Sequence, residues 1–300
     1  MQCRTLRRFH SNGSLRVNAR NSLQQVDKNT GQLDQCPSTE PVRITYIGHA
    51  TLLLEFGRVR VLTDPNFDDK LGFFLPRVTP PGLKMAELPR IDAILLTHAH
   101  ADHLSFASLH ALPSSIPIYA PPAVAEWLER DGINAARAIQ PGQTIRVANV
   151  VVTAAPARHV GARYGVDRWR GAAHMYLLDN GDVSVLFTGD TAITPDAAAL
   201  AATILPRRVD VALLPIGFAP RWKEFLFKRG HLTAGDALSL FEQVDARILI
   251  PFHWGTFRHV TSGAYDAIRV LRTLLLTHAK AESVKILPPG ESLTVSRSDA

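Results

Sequence analysis

The sequence predicts an α+β fold in which two β-sheets pack together and helices cover them. Three features of the chain carry this expectation: a close succession of three short β-rich runs, an alternation of strands and helices after them, and a second such mixture toward the end. The opening runs, 43–47, 51–56 and 59–63, are separated by glycine-bearing turns and read as an antiparallel meander. A Pro- and Gly-rich loop from Asp64 to Pro89 leads to the apolar run 91–96, whose length and content are those of a buried strand. Residues 117–120 read as a strand, and Pro121-Pro122 opens a helix through Arg130, since proline is tolerated in a first turn. Strands are expected at 144–154, 174–178 and 183–188, a helix from Pro195 to about Leu205, and a strand at 209–215. Thr233 is placed to cap a helix through Val244. A strand at 247–251, a helix at 264–279 and strands at 284–287 and 292–295 complete the pattern.

Composition narrows the class. The 300 residues are 46% hydrophobic and 20% charged, which is ordinary for a globular enzyme-sized domain. No apolar stretch approaches the roughly 18 to 20 residues of a membrane-spanning helix. Only two cysteines occur, Cys3 and Cys36, which fits a reducing, cytoplasmic setting. The net charge of +6 favours anionic partners such as phosphates, phospholipid headgroups or nucleic acid, without choosing among them. Arg4, Arg7, Arg8, Arg16 and Arg20 precede the first acid, Asp27, so an organellar presequence was weighed against a flexible, polar lead-in. The segment lacks an apolar stripe, and the expected organisation is a basic lead-in over 1–41 followed by one catalytic domain over 42–300.

The chemistry concentrates after the strand at 91–96. His98, His100, Asp102 and His103 place four imidazole or carboxylate groups within six residues, and such ligands suit zinc and neighbouring divalent transition metals. In an extended segment His98, His100 and Asp102 would point one way, and a turn at Asp102-His103 would re-aim these two toward a second ion. Further ligands are sought at strand ends: His159 in Ala157-Arg158-His159, Asp190 in Thr188-Gly189-Asp190-Thr191, and His253 in Phe252-His253-Trp254-Gly255. Each also has a plain structural reading, a turn cap for Asp190 and a buried loop imidazole for the two histidines.

The order His-x-His-x-Asp-His, lone His, Gly-Asp-Thr, late His resembles the metallo-β-lactamase superfamily over residues 43–257. Ile47-Gly48-His49-Ala50-Thr51, Leu62-Thr63-Asp64-Pro65, Pro220-Arg221-Trp222 and His253-Trp254-Gly255-Thr256-Phe257 resemble the branch containing the phospholipase D that hydrolyses N-acylphosphatidylethanolamine. The resemblance implies an αβ/βα four-layer sandwich. It also implies one zinc on His98, His100 and His159, a second on Asp102, His103 and His253, and Asp190 bridging the two. A hydroxide between the metals would then attack phosphorus, in an anionic small-molecule or phospholipid-like substrate; a lactone or other carboxylic ester is the alternative. Asp64 and His49 would orient ligands from behind, or serve as a turn residue and a packed strand end. His231, beside a basic run and a helix start, would meet a phosphate oxygen or protonate a leaving alkoxide; its plain reading is a solvated histidine. Arg221, Trp222 and the run Phe225 to Arg229 interleave cations with apolar groups, as expected of either a peripheral lipid contact or an amphipathic loop packed on its own domain.

Other branches fit less well. Neither cysteine falls in the ligand order, as true β-lactamases would require, and no flavodoxin-like domain follows, as the diiron flavoproteins would require. Nucleic acid is not an expected partner, because an aromatic RNA-recognition motif is absent. Oligomerisation is left open. Ala99 and Ala101 stand where the lipid-cleaving relatives carry larger residues, and Ala192-Ile193 follows Gly-Asp-Thr; these are expected to line or shape the pocket.

Overall fold

The computed structural model describes residues 40–72, 75–163, 172–204, 207–258 and 261–297. The expected lead-in, with Cys3 and Cys36, lies outside the described residues apart from Glu40 and Pro41. In chain order the first half holds β1 (Val42–Gly48), β2 (Thr51–Phe56), β3 (Val59–Thr63), the short pair β4 (Lys70–Leu71) and β5 (Leu75–Pro76), β6 (Ala93–Leu95), α1 (Phe106–Ala111), β7 (Ile118–Ala120), α2 (Pro122–Arg130) and β8 (Ala136–Ala138). The second half holds β9 (Thr144–Val147), β10 (Val150–Pro156), β11 (His174–Asp179), β12 (Ser184–Phe187), α3 (Pro195–Ile204), β13 (Val211–Pro215), α4 (Arg221–Phe227), α5 (Ala234–Val244), β14 (Ile248–Phe252), α6 (Asp266–Leu275) and β15 (Ser292–Val295).

The strands form a seven-stranded sheet in the order β15-β1-β2-β3-β6-β7-β8 and a six-stranded sheet in the order β14-β13-β12-β11-β10-β9. Each begins as an antiparallel meander and finishes with parallel strands, β3 to β8 in the first and β12 to β14 in the second. Parallel neighbours need crossover connections, and helices supply them except between β3 and β6, where the segment holding β4 and β5 crosses over. Alternation along a strand sends neighbouring side chains to opposite faces. Leu52, Leu54, Val61, Ala93 and Leu95 accordingly join Val152, Tyr176, Phe187, Leu213 and Ile250 of the other sheet in the central core. Their neighbours Leu53, Leu62 and Ile94 join Leu109, Val124 and Leu128 beneath α1 and α2. On the far side Ala197, Ala237, Phe241 and Leu271 of α3, α5 and α6 cover the second sheet. The result is the four-layer αβ/βα sandwich that the resemblance implies.

Several local expectations are corrected. The strand expected at 144–154 is a hairpin, because Ala148 takes a left-handed φ of 50° and Val147 pairs back on Val150. Alanine rather than glycine at that turn hid it. Residues 284–287 do not form a strand and contribute one bridge, Leu249 to Val284. The run 221–227, expected as a loop, is helical: Pro220 precedes the first turn, and Lys228 just past its end pairs with Glu224 at 3.1 Å. Helix α1 has six residues, too few for a periodic pattern, and depends on Ser105, whose hydroxyl accepts from the Ser108 amide.

At the end of the second sheet remote from the histidines, Asp210 is nearly buried. It accepts from Arg247 Nη1 at 2.8 Å, from the Ser184 amide at 2.8 Å, and from Arg207. Burial alone would raise this carboxyl, but the Ser184 amide and the two guanidinium groups lower it below its ordinary value. The fold thus favours the ionised form. Its contribution is complete above the unfolded value of about 3.9 and is lost as pH falls through the folded one. Asp210→Asn should cost about 1 to 2 kcal/mol in urea denaturation at pH 7, because half-buried Arg247 loses its carboxylate partner and half-buried Arg207 keeps only Asp179. The gap from wild type should narrow below about pH 4. A gap that is small at pH 7 or widens in acid would contradict this.

Candidate metal centre

Every predicted ligand sits just beyond the end of a strand at one rim of the sandwich. His98 to His103 follow β6, His159 follows β10, Asp190 follows β12 and His253 follows β14. His49 lies in the β1–β2 turn and Asp64 directly after β3. Three of these positions are held in the left-handed region despite having side chains, with φ of 55° at His49, 34° at Asp64 and 72° at His253. Such backbone costs on the order of 1 to 3 kcal/mol per residue and persists where surrounding structure enforces it. A bond from the His253 amide to the His49 carbonyl, 3.0 Å long, ties two of them. Gly189 has a φ of +54°, and a Cβ there would lie 2.5 Å from Thr97 Cγ2, so only glycine lets β12 present Asp190 so close to the histidine loop.

Two groups of potential ligand atoms result, each with its atoms within 4.8 Å of one another: His98, His100, His159 and Asp190, and His49, Asp102, His103 and His253. Asp190 reaches into both, with Oδ1 at 3.6 Å from His103 Nε2 and 3.3 Å from His253 Nε2. His98, His100 and His159 thus fall in one group and Asp102, His103 and His253 in the other, where His49, expected behind the ligands, joins them; the route by which the chain brings them there differs from the expected one. Asp102 does not side with His98 and His100, because the amides of His103 and Leu104 both bond the His100 carbonyl, at 3.1 and 2.8 Å. The chain coils directly after His100, two residues earlier than expected.

The hydrogen bonds behind the rings fix which nitrogen faces inward. His103 Nδ1 donates to Asp64 Oδ2 at 2.8 Å, and His159 Nδ1 donates to the Gly230 carbonyl at 2.7 Å. The Thr97 hydroxyl donates to Asp64 Oδ2 at 2.6 Å, so its oxygen accepts from His98 Nδ1 at 2.9 Å. Each of these rings then turns Nε2 inward. Asp64 thus stands behind the ligand loop as expected, also accepting from the Thr97 amide at 2.7 Å. His49 Nε2 donates to Asp102 Oδ2 at 2.9 Å, which orients that carboxylate. Asn66, whose amide holds the Ala101 carbonyl at 2.9 Å, was missed by sequence reasoning, although it stands two residues after Asp64. Ala99 is fully buried among core side chains beside Leu104, and neither it, Ala101 nor Ala192 lines the nearby cavity. The expectation that these alanines shape the pocket is corrected.

What the arrangement can hold follows from its unmet valences. His98 Nε2, His103 Nε2, His253 Nε2 and Asp190 Oδ1 are buried with no hydrogen-bond partner. Buried polar atoms are normally paired, so a convergent set of ring nitrogens and a carboxylate oxygen without partners, each able to bind a cation once deprotonated, is a candidate metal site. The electrostatics agree. Burial would raise Asp102 and Asp190, but the charge on His103 and His253 and the hydrogen bonds around them hold both carboxyls well below the usual range. In return, Asp190 and Asp102 overcome burial and push His253 up to about 9 and His103 well above its ordinary value. Burial drives His98 far down and takes His159 and His49 to about 3, so these remain neutral. Imidazolium protons are thus supplying positive charge that divalent ions would supply instead, and the donor set of imidazole and carboxylate suits zinc and its neighbours.

Beside this centre lies a cavity of about 240 Å³, lined by His231, His253, Lys223, Leu226, Phe227 and Phe257 among others. His231 Nε2 lies 3.5 Å from Asp190 Oδ2, its Nδ1 faces the Phe227 carbonyl at 3.3 Å, and its ring stacks on Phe227. Arg221 and Trp222 do not line the cavity; both are exposed on the outer face of α4, Trp222 by 76%.

Residues 59–254 match the family described as Beta-lactamase superfamily domain, and the chain belongs to that superfamily. An uncharacterised protein of Mycobacterium tuberculosis is 31% identical over 229 residues, covering 72% of this chain and 59% of that one. The N-acyl-phosphatidylethanolamine-hydrolyzing phospholipase D 1 of Caenorhabditis elegans is 27% identical over 248 residues, covering 74% of this chain and 66% of that one. The chain therefore spans less than two thirds of the length of either relative. Among solved structures, the isothiocyanate hydrolase from Delia radicum gut bacteria superposes with a TM-score of 0.70 at 20% identity, over 85% of this chain and 99% of that one, a likeness of fold.

Because Asp190 lies within reach of both groups, Asp190→Ala should take up well under half the metal of the unsubstituted protein, measured by elemental analysis after dialysis against zinc. Equal uptake by the two would show that Asp190 is not needed to hold metal.

Proposed function

We propose that residues 42–300 form a metal-dependent hydrolase with a two-zinc centre that cleaves phosphodiesters of an organic or phospholipid-like kind. The observation that carries this reading is the convergence of unpaired ring nitrogens and a carboxylate oxygen beside a cavity that also holds Lys223 and His231. His98, His100 and His159 would hold one ion, Asp102, His103 and His253 the other, with Asp190 between them. Ions so held supply Lewis acidity and lower the pKa of water enough to make a nucleophile available near neutral pH. The chain's own groups do the rest. Lys223 attracts the diester's charge, while Leu226, Phe227 and Phe257 take its apolar part and exclude water. Burial holds His231 below its ordinary pKa against the pull of Asp190, so it is neutral until an anion arrives. The charge of a bound phosphate favours its protonated form, and Nε2 can then pass a proton to the leaving oxygen. The name of the nematode relative and the net charge of +6 support the diester over other substrates of the fold.

Turnover of bis(p-nitrophenyl) phosphate and of N-acylphosphatidylethanolamine, abolished by chelator and restored by zinc, is the expected outcome. Hydrolysis of a lactone panel with diesters untouched would move the assignment to carboxylic esters, and metal-dependent turnover of neither would overturn it. His231→Ala should keep its metal and lose about a hundredfold in kcat, since general acid catalysis is worth at least that. Unchanged turnover in that variant would remove His231 from the reaction.

The same reading includes a peripheral contact with a lipid surface. Trp222, Phe225 and Leu226 are exposed by 76%, 78% and 61% on one face of α4, with Arg221 and Arg229 beside them. Trp222→Ser with Phe225→Ser should weaken sedimentation with phosphatidylglycerol vesicles while leaving soluble-diester turnover intact. Equal sedimentation of variant and wild type would exclude this face. No helix among the described residues is long and apolar enough to cross a membrane.

A further inference from the structure

The two segments that meet in the group of His98, His100 and His159 come from different sheets, and one side chain spans them. Arg163, four residues beyond His159, donates through Nη1 to the carbonyl of Ala99 at 3.1 Å and to that of Leu104 at 2.9 Å. These acceptors are well placed to fix ligands. The Ala99 carbonyl lies between His98 and His100, and the Leu104 carbonyl belongs to the residue whose amide closes the turn on the His100 carbonyl at 2.8 Å. The guanidinium is held over two aromatic faces, with its carbon 5.6 Å from the Phe106 ring and 5.5 Å from the Trp127 ring. Those rings meet edge-on with centroids 4.7 Å apart. Arginine is well suited here, because a planar cation can stack on rings while keeping its N–H groups for acceptors in its own plane. Among the described residues no carboxylate pairs with it, and its contacts are to carbonyls and ring faces.

The remaining ties on the loop come from elsewhere. Asp64 and Asn66, after β3, hold Thr97, His103 and Ala101, and the His174 amide bonds the Thr97 carbonyl at 2.9 Å. Arg163 contributes the tie from the segment that carries His159. His159 itself is anchored at Nδ1 to Gly230, and its Nε2 lies 3.0 Å from His100 Nδ1. Both of these inward nitrogens have to face one ion, so nothing in the loaded site bonds them to each other. Their approach has to be set by the backbone on which each ring is carried.

We propose that Arg163 is a positioning residue for the metal group of His98, His100, His159 and Asp190, strapping the His98–Leu104 loop to the His159 segment so that the imidazoles converge before a metal arrives. The proposal rests on the two-metal reading, and its test separates the two. Metal-free full-length protein is titrated with Co²⁺, followed by its visible absorption and by chelator competition. The two equivalents are assigned by the same titration of His159→Ala and His253→Ala. Arg163→Met keeps an apolar stem on the rings but removes the donors; Arg163→Lys restores the charge and a donor.

Arg163→Met should weaken the equivalent lost in His159→Ala by about tenfold and change its cobalt spectrum, as loss of a group that orients ligands does, while the other equivalent keeps its affinity. Arg163→Lys should recover most of the loss. Unchanged affinity at both sites in Arg163→Met would overturn the proposal. So would equal weakening of both sites with a lower metal-free Tm and no recovery by lysine, which would mark Arg163 as a support of the fold alone. A wild-type chain that takes up no metal would overturn the two-metal reading and this proposal together, whereas two tight equivalents in both wild type and Arg163→Met would overturn this proposal alone.

Discussion

Two carboxylates, Asp190 buried and Asp102 half-buried, stand at one rim of the sandwich, and the surrounding structure is organised around their charge. Removing an ion from water costs several kcal/mol unless opposite charge and hydrogen bonds offset it. Here the offset comes from His103 and His253, each raised in pKa by the acids they face. The neutral rings of His98 and His159 stand beside them with lone pairs turned inward. Such a set is stable as an ion cluster only while protons remain on the imidazoles. Divalent cations satisfy the same charges without them, which couples metal uptake to proton release.

The sandwich makes that concentration possible because the strands are apolar on both faces and the polar groups are confined to their ends. β6, β10, β12 and β14 finish at the same rim, so loops far apart in sequence deliver ligands to one place. Behind the ligands stands a layer of fixed acceptors, Asp64, Thr97 and Gly230, which determine which ring nitrogen faces inward. The left-handed backbone at His49, Asp64 and His253 is the local strain that this placement requires. The large shared core, in which both sheets take part, is what holds it.

Helix α4 relates the centre to whatever approaches it. Lys223 and Phe227 line the cavity, and Phe227 stacks on His231, while Trp222 and Phe225 are exposed and Leu226 reaches both the cavity and the exposed face. One short helix therefore separates a cavity suited to an anion with an apolar portion from an exposed apolar face ringed by cations. Arg221 and Trp222, expected at the substrate, do not line that cavity.

Much of this was legible in the chain because the signals are local. Four ligand groups within six residues, a glycine before Asp190, and apolar runs of strand length can be read without knowing the fold. The turn at Ala148, the six-residue helix α1 and the coil after His100 were not legible, since none carries a glycine, a long period or another local mark. Arg163 and Asn66 act through carbonyls distant in sequence, so their roles exist only once the loops are folded against each other. The sequence by itself determined the class of fold and the candidate donor groups, because strand and helix patterns and donor type are properties of short segments. Which of those groups stand together, which nitrogen faces inward and which residues line the cavity were decided by tertiary structure, because each depends on groups that meet only when the two sheets pack.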